Sequence, residues 1–292
     1  MVWPPPRREP SLAIALPASL TSDLSHLREK TVKAGIIGRV AAVFRVDEIL
    51  IYLDKHGAEA EGELLCQLLR YLDTPQYLRK RIFPISPFLK YAGLLPPLKA
   101  PHHTVESEIE RISREHFREG VVVKSGRRGS LVDIGLGSLF FLSKSLPVGQ
   151  RITVRVVKRK GSIKVRLVSR NDVNVYWGYK AVFTGKGLFE TVKDCGADVV
   201  IATSKYGVPI YDVALDLCER MRNCNKVLVL FGSPYEGLFE IVKRERRRLE
   251  ELADFIVNTI PLQGTETVRT EEAVFATLSI LNVLPKLIRF FS

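Results

Sequence analysis

Asn258-Thr-Ile-Pro-Leu-Gln-Gly-Thr-Glu-Thr-Val-Arg-Thr-Glu-Glu272 sets a single glycine among threonines. Gly264 lets a backbone approach a ligand closely or turn with positive φ. The threonines offer hydroxyls and a cap for a following helix, whose first N–H groups point outward. Glu271 or Glu272 compensates the dipole of that helix. The chemistry on offer is recognition of a ligand at a helix N-terminus, although a capped loop that holds nothing accounts for these residues equally well.

Three apolar strands position the segment. Asp198-Val-Val-Ile-Ala202 ends at Thr203-Ser204-Lys205-Tyr206-Gly207, Lys226 to Phe231 ends at Gly232-Ser233-Pro234, and Asp254-Phe-Ile-Val-Asn258 leads into the threonine loop. Helices are expected at Asp212 to Met221 and from about Arg269 to Leu284. Wholly apolar strands followed by glycine loops are what a helix-covered parallel sheet requires. Ligands of such sheets collect at the carboxyl ends of the strands, so the three loops form the expected site. Upstream, the pattern predicts a strand at Ser11 to Leu16 and a helix capped by Ser22 or Asp23 that runs through His26 toward Val43. A strand at Val46 to Leu53 and a helix at Glu63 to Tyr71 follow. The basic run Arg79-Lys80-Arg81 and prolines 84, 87, 96, 97 and 101 then mark a linker.

From Glu119 the pattern turns to β, with short strands at 120–124, 130–135, 150–158 and 162–169. Turns at Gly126-Arg-Arg-Gly129 and Lys160-Gly161 separate them. A small OB-like barrel fits this spacing; a hairpin extension without its own core is the alternative. The chain carries 44 Lys and Arg against 32 Asp and Glu, net +12, and residues 111–170 alone hold 15 against 3, also +12. An excess confined to one segment favours a polyanion over a merely solubilising surface. Lys124, Arg127, Arg128, Arg155, Lys158, Arg159, Lys160 and Lys164 are the expected nucleic-acid contacts. Aromatic residues are sparse there (Phe140 and Phe141), which favours phosphate contact over base stacking. Lys243-Arg-Glu-Arg-Arg-Arg248 reads either as a solvated helical face or as a further contact of the same kind.

Other classes are disfavoured. No apolar run approaches the roughly 20 residues that span a bilayer, and MVWPPPRREP lacks the continuous apolar core of a signal peptide, so a cytoplasmic protein is expected. The four cysteines and five histidines show no metal-ligand spacing, the adjacent His102 and His103 read as loop residues, and neither disulfides nor a metal are expected. Gly35-Ile-Ile-Gly lacks the G-x-G-x-x-G spacing of a dinucleotide-binding oxidoreductase.

Phe231-Gly-Ser-Pro-Tyr-Glu-Gly-Leu238 together with Asn258 to Ala273 resembles the cofactor-binding motifs of the SPOUT superfamily of RNA methyltransferases. Gly35-Ile-Ile-Gly-Arg39, Phe44-Arg-Val-Asp-Glu-Ile49 and Arg70 to Arg81 extend the resemblance over nearly the whole chain, toward the branch with an OB-like domain inserted in the catalytic domain. It implies an α/β fold with a parallel sheet and a C-terminal trefoil knot, a methyltransferase domain of residues 1–90 and 174–292, and an RNA-binding insert with linkers at 91–173. It implies S-adenosylmethionine as methyl donor and RNA as substrate, ribosomal RNA and a uridine base in particular. It also implies a homodimer with active sites at the subunit interface. The cofactor residues implied are Thr203, Ser204, Leu230, Phe231, Gly232, Ser233, Gly237, Asn258, Thr259, Ile260, Gln263, Gly264 and Thr267, with main-chain groups reading the adenine. Arg39, in a Gly-x-x-x-Arg setting, is the catalytic or substrate-orienting candidate, although Lys33-Ala34 stand where relatives often have asparagine. A surface arginine on an amphipathic helix is the alternative. Glu236 and Arg269 are further polar contacts, and no residue stands out as general base. A catalytically inactive RNA-assembly factor on the same fold is the other reading.

Overall fold

The computed structural model describes residues 3–103, 115–159 and 162–291. In chain order the elements are β1 (Ser11–Pro17), α1 (Leu27–Val43), β2 (Glu48–Tyr52), α2 (Glu59–Asp73) and α3 (Gln76–Ile82). Next come β3 (Glu115–Gly126), β4 (Gly129–Asp133), β5 (Leu139–Leu142), β6 (Arg151–Arg159) and β7 (Ser162–Val168). The chain ends with β8 (Lys180–Phe183), α4 (Leu188–Cys195), β9 (Val199–Pro209), α5 (Ile210–Arg222), β10 (Lys226–Leu230), α6 (Leu238–Arg244), β11 (Phe255–Asn258) and α7 (Thr270–Phe291). Two compact units result, one of residues 8–72, 88–97 and 179–292, the other of residues 1–7, 73–87 and 98–178.

The larger unit is built on a six-stranded sheet in the order β11-β9-β10-β1-β2-β8, parallel at every pairing. Ala13, Ala15, Val200, Ala202, Leu228 and Leu230 pack on one face against Leu188 and Val192 of α4 and Leu238, Ile241 and Val242 of α6. The alternate residues Leu12, Ile14, Leu16, Ile201, Val227 and Val229 are equally buried, so these strands have no solvent face. Each such side chain contributes about 1.5–3 kcal/mol. In this unit β8, α4 and α6 escape the sequence pattern. β8 and α4 are too short to show a period, and the N–H groups of Leu188 and Phe189 donate to the Glu245 carboxylate (2.6 and 2.9 Å), a partner remote in sequence.

Three local expectations are corrected. The cap of α1 is His26, whose Nδ1 accepts from the Arg28 N–H at 3.0 Å. Asp23 is taken instead by the Lys33 ammonium at 2.9 Å, because that lysine is buried and needs carboxylates. The basic run 243–248 is not one helical face: α6 ends at Arg244, Arg246 has φ +56°, and the Arg247 guanidinium lies 4.4 Å over the Phe189 ring. The last helix continues through Pro285. Proline has no N–H for the carbonyl four residues back, and the buried Arg8 donates to that carbonyl, Leu281 O, at 2.7 Å. Burial, then the charge of Arg45, lowers the Arg8 pKa to about 10.

The smaller unit holds a curled antiparallel sheet in the order β5-β4-β3-β6-β7, with a register shift in β3 between Val122 and Lys124. It encloses its own core of Val122, Val132, Ile134, Leu136, Leu142, Ile152, Val154 and Val156, unlike a bare hairpin extension. The Lys160-Gly161 turn lies outside the described residues. His102 and His103 lie outside any helix or strand, as expected of loop residues, but in the interior rather than at the surface. His102 is fully buried and its Nε2 lies 3.2 Å from Asp73 Oδ1. Arg151 bridges Asp73 (2.9 Å) and Glu119 (2.6 Å), and Glu119 also accepts from Thr153 (2.7 Å) and from the Trp177 indole (2.6 Å).

Burial alone would raise the pKa of Asp73, but the charges of His102 and Arg151 reverse it and hold the carboxyl well below the usual range. Glu119 is likewise lowered, burial being outweighed by Arg151 and then His102. Burial, then the charge of His102, lowers His103 to about 4. In all three the unfolded chain binds protons more readily. Stability is therefore full above the unfolded pKa values and is lost as pH falls, through the 6.5-to-4 interval for His103 and below the carboxylate range for the two acids. Asp73→Asn, which takes the carboxylate from the buried His102 and leaves Arg151 with Glu119 alone, should cost about 3–5 kcal/mol in denaturant unfolding and flatten the acid limb of the stability profile.

Candidate functional site

At the carboxyl ends of β9, β10 and β11 three loops and the start of α7 enclose a cavity of about 400 Å³. The first loop arises from an interruption in pairing. β9 aligns Ala202 with Ile256 and then Val208 with Val257, so residues 203 to 207 are skipped by the ladder and project from it. Expected as a loop, they are extended backbone within β9. Gly207 is required there, because a Cβ would lie 2.6 Å from the Val257 carbonyl carbon and 2.7 Å from Ile256 O, both backbone atoms.

Hydrogen bonds fix the other two loops from beneath. The buried Tyr52 hydroxyl donates to Phe231 O at 2.7 Å, and the Thr270 hydroxyl to Gly232 O at 3.2 Å. Thr203 donates to Leu230 O at 2.8 Å, tying the first loop to the second strand. Asn258 accepts from the Ile260 N–H (3.0 Å) and donates to Lys205 O (3.2 Å), which joins the third loop to the first. Thr259 and Thr277 share a buried hydrogen bond of 2.8 Å, and Gln263 donates to Thr265 O and Glu266 O (2.8 and 3.0 Å). α7 begins at Thr270; the Arg269 N–H donates to Glu272 (2.9 Å), whereas Glu271 pairs with Lys33 of α1 (3.3 Å).

The cavity brings together Thr203, Ser204, Phe231, Gly232, Ser233, Gly237, Asn258, Thr259, Ile260, Gln263 and Thr267. Leu230 and Gly264 are not in its wall. Positive φ in the third loop falls on Leu262 (+57°), and a Cβ at Gly264 would meet nothing within 4 Å. Glu236 lines the cavity with its carboxylate clamped by Arg244 (2.9 and 2.5 Å), but Arg269 does not. Lys205, Tyr206 and Pro234, which belong to the expected loops, and Tyr235, Phe239, Glu240, Val268, Thr270 and Ala273 complete the wall; none is among the cofactor residues that the resemblance implies, because their places depend on loop folding that no spacing encodes. No histidine or aspartate is among these described wall residues.

Arg39 stands apart from this cavity. It lies on the exposed side of α1, and its guanidinium donates to Pro97 O at 2.6 Å. The glycines before it serve close packing. A Cβ at Gly35 would stand 2.7 Å from Pro96 Cδ, and one at Gly38 2.6 Å from both Leu72 Cδ2 and the Tyr179 hydroxyl.

In the smaller unit Lys124, Arg127, Arg128, Arg155 and Lys164 are exposed and Lys158 is half-buried. The side chain of Arg159 and all of Lys160 lie outside the described residues. Arg155 sits directly opposite Arg166 across β6 and β7. Arg118 and Arg151 do not belong to this surface, although both count toward the segment's charge. Arg118 is buried, donating to Ile134 O (2.9 Å) with its guanidinium 4.9 Å over Tyr77, and Arg151 serves the Asp73 network.

Gly207→Ala should overpack the β9 excursion and lower stability by about 1–3 kcal/mol. Gly264→Ala, facing open space, should leave the unfolding midpoint unchanged; denaturant titration of the two variants compares them.

Residues 11–281 match the family described as "Putative RNA methyltransferase". A 28S rRNA (uridine-N(3))-methyltransferase of Homo sapiens is 35% identical over 93% of this chain and 78% of its own length. A protein of the same description from Drosophila melanogaster is 32% identical, and this chain spans 62% of its length. An uncharacterized protein of Halobacterium salinarum is 33% identical over 93% of this chain and 98% of its own. With a family match over most of its length and relatives of this identity, the chain belongs to that RNA methyltransferase family.

Proposed function

We propose that the protein is an S-adenosylmethionine-dependent methyltransferase of ribosomal RNA that modifies N3 of a uridine. The observation that carries this reading is the cavity at the carboxyl ends of β9, β10 and β11, lined by nearly all the residues whose motifs resemble a SPOUT cofactor site. Its volume of about 400 Å³ falls in the range of small-molecule sites, roughly 300–1,000 Å³. The wall fits the donor. Its glycines, serines and threonines let the main chain approach a ligand, and Tyr206, Phe231, Tyr235 and Phe239 add aromatic surface beside them. When bound, the donor supplies an electrophilic methyl group. The chain's own task is then to hold the acceptor in line and keep the loops from rearranging, which positioning alone can make productive. The relatives' printed activity supports uridine N3 as the acceptor.

Strand order supports the knotted arrangement: β9 lies between β10 and β11, with the last helix following β11. The curled five-stranded sheet with its own core supports an OB-like barrel acting as the RNA-binding insert. Lys124, Arg127 and Arg128 at the β3–β4 turn and Arg155, Lys164 and Arg166 on β6 and β7 are its phosphate contacts. A homodimer is supported by α1, which exposes Val32, Ile36 and Val43 on the face that carries Arg39, and by the exposed Phe275 of α7. With the active site at a subunit interface, Arg39 would act in the partner's site.

Calorimetric titration with S-adenosylmethionine and with its demethylated product should give a heat of binding, and mass spectrometry of treated ribosomal RNA should show N3-methyluridine. No heat would sink the enzyme reading and leave an RNA-assembly factor. Replacing Arg155, Lys164 and Arg166 by alanine should weaken RNA binding and reduce the slope of log affinity against log salt by about 0.7–0.9 per lost phosphate contact. Sedimentation should report a dimer that Ile36→Asp weakens.

A further inference from the structure

Tyr206 and Tyr235 are 72% and 65% exposed, yet both line the cavity. They reach it from loops remote in sequence by one shared device. In Ser204-Lys205-Tyr206 the serine oxygen accepts the tyrosine N–H at 3.1 Å, and in Ser233-Pro234-Tyr235 the same bond is 3.3 Å. Each ring also has an ammonium above it, Lys205 at 5.1 Å and Lys55 at 5.7 Å. Rings so exposed contribute little to the core, and rings capped by cations form a surface that suits a flat, anionic partner.

The acceptor chemistry supplies the need. N3 lies on the Watson–Crick edge, so a uridine modified there has to leave its pair and its stack, and the unstacking is unfavourable unless another flat surface replaces the lost neighbours. The basic insert has few aromatic residues to do this. We infer that Tyr206 and Tyr235 are the stacking platform for unstacked bases of the RNA at the cavity mouth, with Lys205 and Lys55 neutralising the phosphates beside them. They are positioning residues, and the inference rests on the RNA methyltransferase reading above.

The test uses the full chain and a short single-stranded oligouridine carrying one 2-aminopurine, followed by anisotropy and by quenching of its fluorescence. Tyr206→Ala and Tyr235→Ala should each weaken binding by about ten-fold, and the double variant should abolish the quenching. The phenylalanine variants keep the ring face and should retain both signals. Undiminished oligonucleotide binding and quenching in the double alanine variant would overturn the inference. So would phenylalanine variants as impaired as the alanine ones. Because the fluorescence readout needs no turnover, failure of the wild type to bind the cofactor would defeat the methyltransferase reading alone and leave the stacking result legible.

Discussion

A parallel sheet buried on both faces leaves its strands no lateral surface on which to act. In the larger unit every pairing is parallel and Leu12, Ile14, Ile201, Val227 and Val229 are as deeply buried as Ala13, Ala15, Val200 and Leu228. The places where backbone polar groups can meet a ligand are then the strand ends. The other features of the site follow from this. β9 sheds five residues from its ladder to make one wall, β10 runs straight into Phe231-Gly232-Ser233, and β11 delivers Asn258 to the third wall. The hydroxyls of Tyr52, Thr203 and Thr270 occupy loop carbonyls, so these loops are held to their shape by the sheet and by α7. A pocket preorganised in this way avoids an ordering cost on binding.

The apolar strands β1, β2, β9, β10 and β11 were legible because full burial writes a continuous hydrophobic run. So were the loops after them, since glycine and serine following such a run have few other meanings. β8 and α4 were not, being four and eight residues long and held by pairing with β2 and by the distant Glu245. The α1 cap was misassigned for a similar reason: Asp23 has good capping chemistry, but the buried Lys33 competes for it, and burial of a lysine is not visible in a linear pattern. Gly264 has the freedom of glycine, but the positive φ falls on Leu262. Within the cavity, the motif residues are readable from sequence and the aromatic rim is not. Tyr206 and Tyr235 lie inside segments whose glycines and serines carry the pattern.

The +12 of residues 111–170 overstates the charge at the surface of the smaller unit. Arg118 and Arg151 belong to the interior, where one satisfies Ile134 O and the other neutralises Asp73 and Glu119. Removing them from the surface leaves the turn group of Lys124, Arg127 and Arg128 and the strand group around Arg155, Lys164 and Arg166. Electrostatic attraction of this kind is insensitive to sequence and gives affinity and encounter rate. Discrimination of one nucleotide from its neighbours must come from the shape and chemistry at the cavity.

Lys33 is buried between Asp23 and Glu271 and so fastens α1 to the first turn of α7, the turn that supplies Thr270 and Ala273 to the cavity wall. α1 is also the helix that exposes Val32, Ile36 and Val43. A load on the exposed side of α1 therefore reaches the cavity wall through one buried ammonium and its two carboxylates, although no residue of α1 is itself in that wall.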